Sequence, residues 1–181
     1  YKDIYSFKPI KEIYLDKFSN KLCGKTRKGH FEGVLNVVNR LLEIIKPKYM
    51  ILGVKDFQQL HLIKSHVKKR SINTKIIACK TIREGNKVAC STRNNNISKS
   101  NYIVASKVYQ YLAKKKKLVK KNLKFFNNKN YKKDLLKLGV KKIDYIKIYN
   151  LNTLKKPLNE KDKFKIFISY YLDKVRLIDN I

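Results

Sequence analysis

The amino-acid sequence predicts an α/β fold in two parts. A parallel sheet with helices on both faces is expected over residues 1–81, and a small α+β domain over residues 82–181. Three observations carry this. Two short apolar runs, at 49–52 and 76–79, flank a helical pattern, and strand, helix, strand in that order closes onto a parallel pair through a right-handed crossover. After residue 82 the chain turns polar and rich in asparagine, which marks a change of domain. Two further strand-like runs, at 144–149 and 165–170, lie on either side of a turn region containing Pro157, a pattern that suits an antiparallel sheet.

The elements follow in order. Phe31, Val34, Val37, Val38, Leu41, Ile44 and Ile45 recur at helical spacing, so 31–46 reads as a helix with one buried face, stopped by Pro47. Residues 49–52 read as a short buried strand that runs into Gly53. Asp56 suits the N-cap of a helix over 57–70, with Leu60, Ile63 and Val67 turned inward. The second buried strand is 76–79. Residues 83–96 contain one glycine and four asparagines and read as a loop, after which Ser98 caps a helix over 99–116. The run from Lys114 to Lys117 is expected at the solvated end of that helix. Leu118, Val119, Leu123, Phe125 and Phe126 punctuate the Lys/Asn-rich stretch 114–133 and argue for order there.

Composition narrows the function classes. With 44 basic and 13 acidic residues among 181, the net charge is +31, a value that suggests nucleic acid or an anionic surface. The distribution argues against that partner. Only Arg27, Arg40, Arg70, Arg83, Arg93 and Arg176 are arginine, and the 38 lysines are spread through every predicted element rather than gathered on one. Nucleic-acid surfaces favour arginine for bidentate contacts. The charge reads as a lysine-biased coating on an enzyme with an ordinary apolar core, 43% of the residues being hydrophobic. No run of 18 apolar residues occurs, so no membrane-spanning helix is expected. Cys23, Cys79 and Cys90 are odd in number and lack CxxC spacing, and His30, His61 and His66 lack metal-ligand spacing. Neither a disulfide framework nor a zinc site is supported, and a reducing cytoplasm fits.

The residues that carry chemistry lie in two segments. Gly53, Val54, Lys55, Asp56, Phe57, Gln58 and Gln59 follow the first strand and open a helix, where backbone N–H groups, the helix dipole and a lysine can face an anion. In open α/β sheets ligands collect beyond the carboxyl ends of the strands, which is where Gly53 falls. Cys90, Ser91, Thr92, Arg93 and Asn94 set two hydroxyls beside an arginine. Together the segments suggest a nucleotide held from two sides; each taken alone also fits a solvated turn.

The order and spacing of these segments resemble the pantoate:β-alanine ligase family, the pantothenate synthetases. Arg27-Lys28-Gly29-His30-Phe31-Glu32-Gly33-Val34 resembles the family's R-P-G-H-F-x-G-V, with lysine for proline. Residues 47–60 resemble P-D-x-x-x-F-G-E-K-D-x-Q-Q-L, and 81–94 resemble T-V-R-E-x-D-G-L-A-M-S-S-R-N. Val104, Ala105 and the following helix fit the next segment, and Arg176-Leu177-Ile178-Asp179-Asn180 matches R-L-I-D-N. The resemblance spans essentially the whole chain. It implies a Rossmann-like nucleotidyltransferase domain followed by a lid, acting in the cytoplasm as a homodimer on ATP, pantoate and β-alanine, with Mg²⁺. The implied reaction forms pantoyl adenylate and pyrophosphate, then pantothenate and AMP. Gly53, Val54, Lys55, Asp56, Ile82, Cys90, Ser91, Thr92 and Arg93 fall on ATP-binding positions, Ile82 by its backbone at the adenine. Lys55, Ser91 and Arg93 are the implied catalytic residues. Gln59 falls on a pantoate-binding glutamine, Arg27 more weakly on the same pocket, and His30 lies in the loop beside it.

Departures from the family pattern are specific. Val54 replaces a glutamate, Asn86 and Lys87 an aspartate and a glycine, Cys90 a methionine and Thr92 a serine. The family's opening M-G-x-L-H-x-G-H segment and its metal-facing acids do not occur in these residues, so the chain is expected to be a C-terminal portion that does not complete the reaction alone. No metal ligand is expected within it. A non-catalytic homologue, or a basic protein reusing the fold for nucleic acid, are the alternatives.

Overall fold

A computed structural model describes residues 13–181, so the first twelve residues of the predicted 1–81 domain lie outside the described residues. The chain divides into two units, the first ending at Lys80 and the second running from Thr81 to Ile181.

In the first unit, Asp16 caps a 3-10 turn at Lys17–Asn20 by accepting from the Phe18 N–H, and α1 (Leu22–Thr26) follows. Helix α2 (His30–Ile45) starts at Gly29, whose φ of 72° lies in the left-handed region that costs glycine little. Strand β1 (Tyr49–Gly53) passes through a 3-10 turn at Val54–Asp56 into α3 (Phe57–Lys69), and β2 (Lys75–Cys79) returns parallel to β1 with Gly53 opposite Cys79. The predicted strand–helix–strand unit is present. Its core joins Leu35, Val38 and Leu42 of α2 to Ile63 and Val67 of α3, with Met50, Leu52 and Ile76 of the strands packed against them.

Two expectations about burial are corrected. The strands are not buried on both sides: Ile51 is 66% exposed and Tyr49 49%, because the pleat alternates and Met50 and Leu52 take the side that meets the helices. On α2 the buried stripe is Phe31, Leu35, Val38 and Leu42, while Val37, Leu41, Ile44 and Ile45 are exposed. Apolar residues cover more than half of this helix's circumference, so periodicity alone could not select which stripe packs inward.

The second unit is built on a three-stranded antiparallel sheet. Helix α4 (Lys99–Lys121) is capped by Ser98, whose Oγ accepts from the Asn101 N–H at 3.2 Å. Helix α5 (Asn128–Lys137) leads into β3 (Lys142–Asn150), β4 (Phe164–Leu172) and β5 (Val175–Asn180), with β4 in the middle. Alternate residues Ile166, Ile168, Tyr170 and Leu172 of β4 pack with Ala105, Val108 and Leu112 of α4 and Tyr131 and Leu135 of α5. The fold class is as expected, a parallel sheet flanked by helices plus an antiparallel sheet.

Here too the structure adds to the sequence reading. Helix α4 extends to Lys121 rather than residue 116, because buried Val119 packs on Ile148 and Phe164 and holds the last turns down. The run from Lys114 to Lys117 is therefore inside the helix, not at its end. Lys115 Nζ lies 5.1 Å from the Tyr111 ring centre, and burial, with Lys165 and Lys120 nearby, pulls the Lys116 ammonium down to about 8. Residues 175–180, read from sequence only as a motif, form the third strand. They are reached by a tight turn in which Asp173 takes φ 50°.

Candidate active site

The first unit presents an open cleft of about 830 Å³ lined by Arg27, Lys28, Gly29, His30, Gly33, Val34, Val37, Val38 and Gln59. Its floor is valine and its rim is cationic, with no acidic residue among those lining it. That combination suits a small organic anion with an apolar body. Arg27 Nη1 lies 2.9 Å from His30 Nε2, which joins the rim to the first residue of α2. Gln59 enters from α3, four residues after Lys55. The family resemblance implied one pocket for Arg27 and Gln59, and both line this cleft.

Helix α3 also explains why two adjacent glutamines do different work. Gln58 is buried and its amide is saturated by backbone: Cys23 N–H donates to Oε1 at 3.0 Å, and Nε2 donates to the carbonyls of Phe18 at 2.7 Å and Lys21 at 2.8 Å. It fixes the segment 18–23 that leads into the Arg27–His30 rim. Gly24 lies in the same tight spot, where a Cβ would come within 1.6 Å of the Ser19 carbonyl oxygen. Neither role was assigned from sequence. The signal was present for Gln58, which shares the inward stripe of Leu62 and His66 at four-residue steps.

At the end of β1, Gly53 is extended, φ −74° and ψ 134°, and a Cβ there would meet no atom within 4 Å, so packing within the chain does not require glycine. Val54, Lys55 and Asp56 form the 3-10 turn. Asp56 stands at the N-cap of α3 as expected but makes no side-chain capping bond; its Oδ2 lies 3.6 Å from Lys55 Nζ instead. The lysine side chain is only 16% exposed and is held at the sheet end. Among the described residues, no three His, Cys, Asp or Glu side chains converge as a metal site would need.

In the second unit, residues 82–90 double back as a tight hairpin: Cys90 N–H donates to the Ile82 carbonyl at 3.0 Å and Glu84 N–H to the Val88 carbonyl at 2.9 Å. The turn is made by Lys87 at φ 72°, the left-handed conformation that a glycine would adopt without strain. Ile82 stands 75% exposed. The next turn, Thr92–Asn96, is capped by Ser91, whose Oγ accepts from the Arg93 N–H at 3.3 Å and keeps its own proton to donate elsewhere. Cys90, Thr92 and Arg93 are exposed and Ser91 half-buried. The structure thus brings Cys90, Ser91, Thr92 and Arg93 onto one short loop beside Ile82, and Gly53 to Asp56 onto one sheet end.

The family model described as Pantoate-beta-alanine ligase matches residues 1–181, the full length of the chain. The chain belongs to the pantoate-beta-alanine ligase family. It is 35% identical over 183 residues to the pantothenate synthetase of Flavobacterium psychrophilum, covering 99% of this chain and 65% of that protein. It is 39% identical over 164 residues to that of Francisella tularensis subsp. novicida, covering 91% of this chain and 54% of that protein. The chain spans about 54–65% of the length of these relatives. Among solved structures, the pantoate-beta-alanine ligase from Francisella tularensis, complexed with beta-gamma ATP and beta-alanine, superposes with a TM-score of 0.77 at 37% identity, covering 99% of this chain and 61% of that one. Pantothenate synthetase from Thermus thermophilus superposes with a TM-score of 0.87 over 99% of this chain and 66% of that one; at 23% identity it supports the fold alone.

Proposed function

We propose that the whole protein joins pantoate to β-alanine with ATP, through an enzyme-bound pantoyl adenylate. In the first step a pantoate carboxylate oxygen attacks the α-phosphorus and pyrophosphate leaves. In the second the β-alanine amine attacks the acyl carbon, loses a proton and displaces AMP. The observation that carries the reading is the cleft on the first unit, with its cationic rim, valine floor and Gln59 on the helix that begins just beyond Lys55. Pantoate is a small carboxylate with a geminal dimethyl group, so Val34, Val37 and Val38 suit its apolar body, Gln59 its hydrogen-bonding groups and Arg27 its charge.

On the first unit, Gly53, Val54, Lys55 and Asp56 bind ATP, the unencumbered Gly53 leaving room for phosphates to approach the backbone. On the second unit, Ile82 contacts the adenine by its backbone, and Cys90, Ser91, Thr92 and Arg93 are the residues of its loop that bind ATP. Lys55 and Arg93 offset the charge that grows on the transferring phosphorus and the pyrophosphate, and Ser91 donates its free proton to a phosphate oxygen. Mg²⁺ enters as part of the ATP substrate, held by phosphate oxygens as magnesium at nucleotide sites usually is. A cytoplasmic setting, a homodimer through the first unit and a need for residues beyond these 181 complete the reading. The thiols of Cys79 and Cys90 support the first, and the exposed Leu41, Ile44 and Ile45 of α2 support the second.

The test is product analysis with the whole protein, ATP, Mg²⁺, pantoate and β-alanine. Pantothenate with equimolar AMP and pyrophosphate is expected. Formation of ADP and phosphate instead would replace the adenylate with an acyl phosphate.

A further inference from the structure

The loop that carries Ser91 and Arg93 is tied to the body of its unit by one carboxylate. Glu84 accepts from Asn94 Nδ2 at its Oε1, 2.9 Å away, and from the Tyr102 hydroxyl at its Oε2. Asn94 is buried and donates again, to the Ala89 carbonyl at 3.1 Å, while Tyr102 belongs to the first turn of α4. The two acceptor oxygens of Glu84 thus connect three pieces of chain: the hairpin 82–90, the turn holding residues 91–94, and the long helix. Its own backbone is fixed as well, since the Glu84 carbonyl accepts from the Lys87 N–H at 2.8 Å. The adjacent Arg83 makes a separate anchorage, donating to both carboxylate oxygens of Asp179 on β5.

We propose that Glu84 is a positioning residue for ATP, holding the Cys90-Ser91-Thr92-Arg93 loop in the conformation that meets the phosphates; this rests on the nucleotide role assigned to that loop above. The physical reason is that Thr92 and Arg93 are exposed beside half-buried Ser91, and Glu84 joins the Asn94 end of this short segment to helix α4 through Tyr102, while the Cys90 N–H bond to the Ile82 carbonyl holds the other end. Conformational order that is built in beforehand is not lost on binding, so removing the brace weakens ATP binding without changing any atom that touches ATP. Glu84 itself need not contact the nucleotide.

The whole protein with Glu84→Gln and, separately, Tyr102→Phe tests this with two readouts. Glu84→Gln keeps one acceptor oxygen and loses the other, so it can no longer accept from both Asn94 and Tyr102, and Tyr102→Phe removes one donor at a site away from the loop. Amide hydrogen exchange over residues 84–96, measured without nucleotide, is expected to quicken about tenfold in Glu84→Gln and by a smaller factor in Tyr102→Phe, while the β3–β5 amides stay within about twofold of the parent. The KM for ATP is expected to rise about tenfold with the KM for pantoate unchanged. Unaltered exchange over 84–96, or faster exchange with an unchanged KM for ATP, would overturn the role of Glu84 alone. Failure of the parent protein to use ATP would overturn the nucleotide reading and this proposal together.

Discussion

Arg83 and Asp179, 96 positions apart in the chain, are joined by two hydrogen bonds, Nη1 to Oδ2 at 2.7 Å and Nη2 to Oδ1 at 2.9 Å. The guanidinium also lies 4.3 Å from the centre of the Tyr109 ring, so one arginine connects the hairpin after Thr81, helix α4 and the last strand. Both side chains are largely buried, 17% and 11% exposed. Removing one partner leaves the other charged and desolvated. Asp179→Ala should therefore lower the unfolding free energy of the chain by about 3 kcal/mol, and Arg83→Met with Asp179→Leu should cost less than Asp179→Ala alone. Urea unfolding of the three proteins checks both.

Gln58 and Gly24 hold the segment that leads to the cleft. Gln58→Ala would leave the Cys23 N–H and the Phe18 and Lys21 carbonyls without that partner, a loss of about 3 kcal/mol. Gly24→Ala has to push back the Ser19 carbonyl and should cost about 2 kcal/mol. Both should raise the KM for pantoate more than that for ATP, because the rim at Arg27 and His30 follows directly. Equal changes in the two constants would show that this segment does not shape the pantoate side.

His66 gives the fold a pH dependence of known sign. Its ring is fully buried, with Nδ1 accepting from the Tyr14 N–H at 3.1 Å and Nε2 lying 2.9 Å from Asn39 Oδ1. Burial first, and Arg70 second, hold it below the ordinary histidine value against the opposing pull of Glu43. A proton on Nδ1 would also face a donor. The unfolded chain therefore binds a proton that the folded one refuses. The contribution of His66 is complete above about pH 6.5 and is lost as pH falls from there toward the folded value. Unfolding at pH 5.5 and 7.5 should show the parent losing its margin over His66→Gln at the lower pH.

Lys87 sits at φ 72°, a strained place for a side chain with a Cβ. Lys87→Gly should stabilise the chain by about 0.5–1 kcal/mol, the relief of backbone strain exceeding the added freedom of the unfolded glycine. A higher midpoint in thermal unfolding is expected; a lower one would mean that the lysine makes a compensating contact.

Much of this architecture was legible in the residues. The strand–helix–strand unit followed from two apolar runs around Leu60, Ile63 and Val67, and the Ser98 cap fixed the start of α4. The pairing of Gln59 with Arg27 and His30 came from the family resemblance alone, since nothing in their spacing brings positions 27–30 and 59 together. What stayed hidden depends on contacts between distant positions. The choice of buried stripe on α2 needs the partner helix, since Val37 and Val38 are equally apolar. Helix α4 outruns its expected end because Val119 finds Ile148 and Phe164, which are close only in three dimensions. The brace of Glu84 on Asn94 and Tyr102 joins three residues with no shared period, and β5 is too short and polar to announce itself as a strand.

Lys55→Ala and Arg93→Ala should each remove roughly 3 kcal/mol of transition-state stabilisation, more than a hundredfold in kcat/KM for ATP. The Lys55 ammonium is already held beside Asp56, 3.6 Å away, so its loss should act on the chemical step more than on folding. Steady-state kinetics with unfolding midpoints for both variants checks this, and unchanged turnover in either would remove that residue from the site.

In the proposed reaction a pantoate carboxylate held in the cleft is activated on the α-phosphorus of ATP before any amine takes part. Isotope exchange between pyrophosphate and ATP, measured with the whole protein and Mg²⁺, tests it most directly. Exchange should appear on adding pantoate alone, need no β-alanine, and fall at least a hundredfold in Lys55→Ala. Exchange that required β-alanine, or none with pantoate while pantothenate still formed, would contradict an adenylate made in this site.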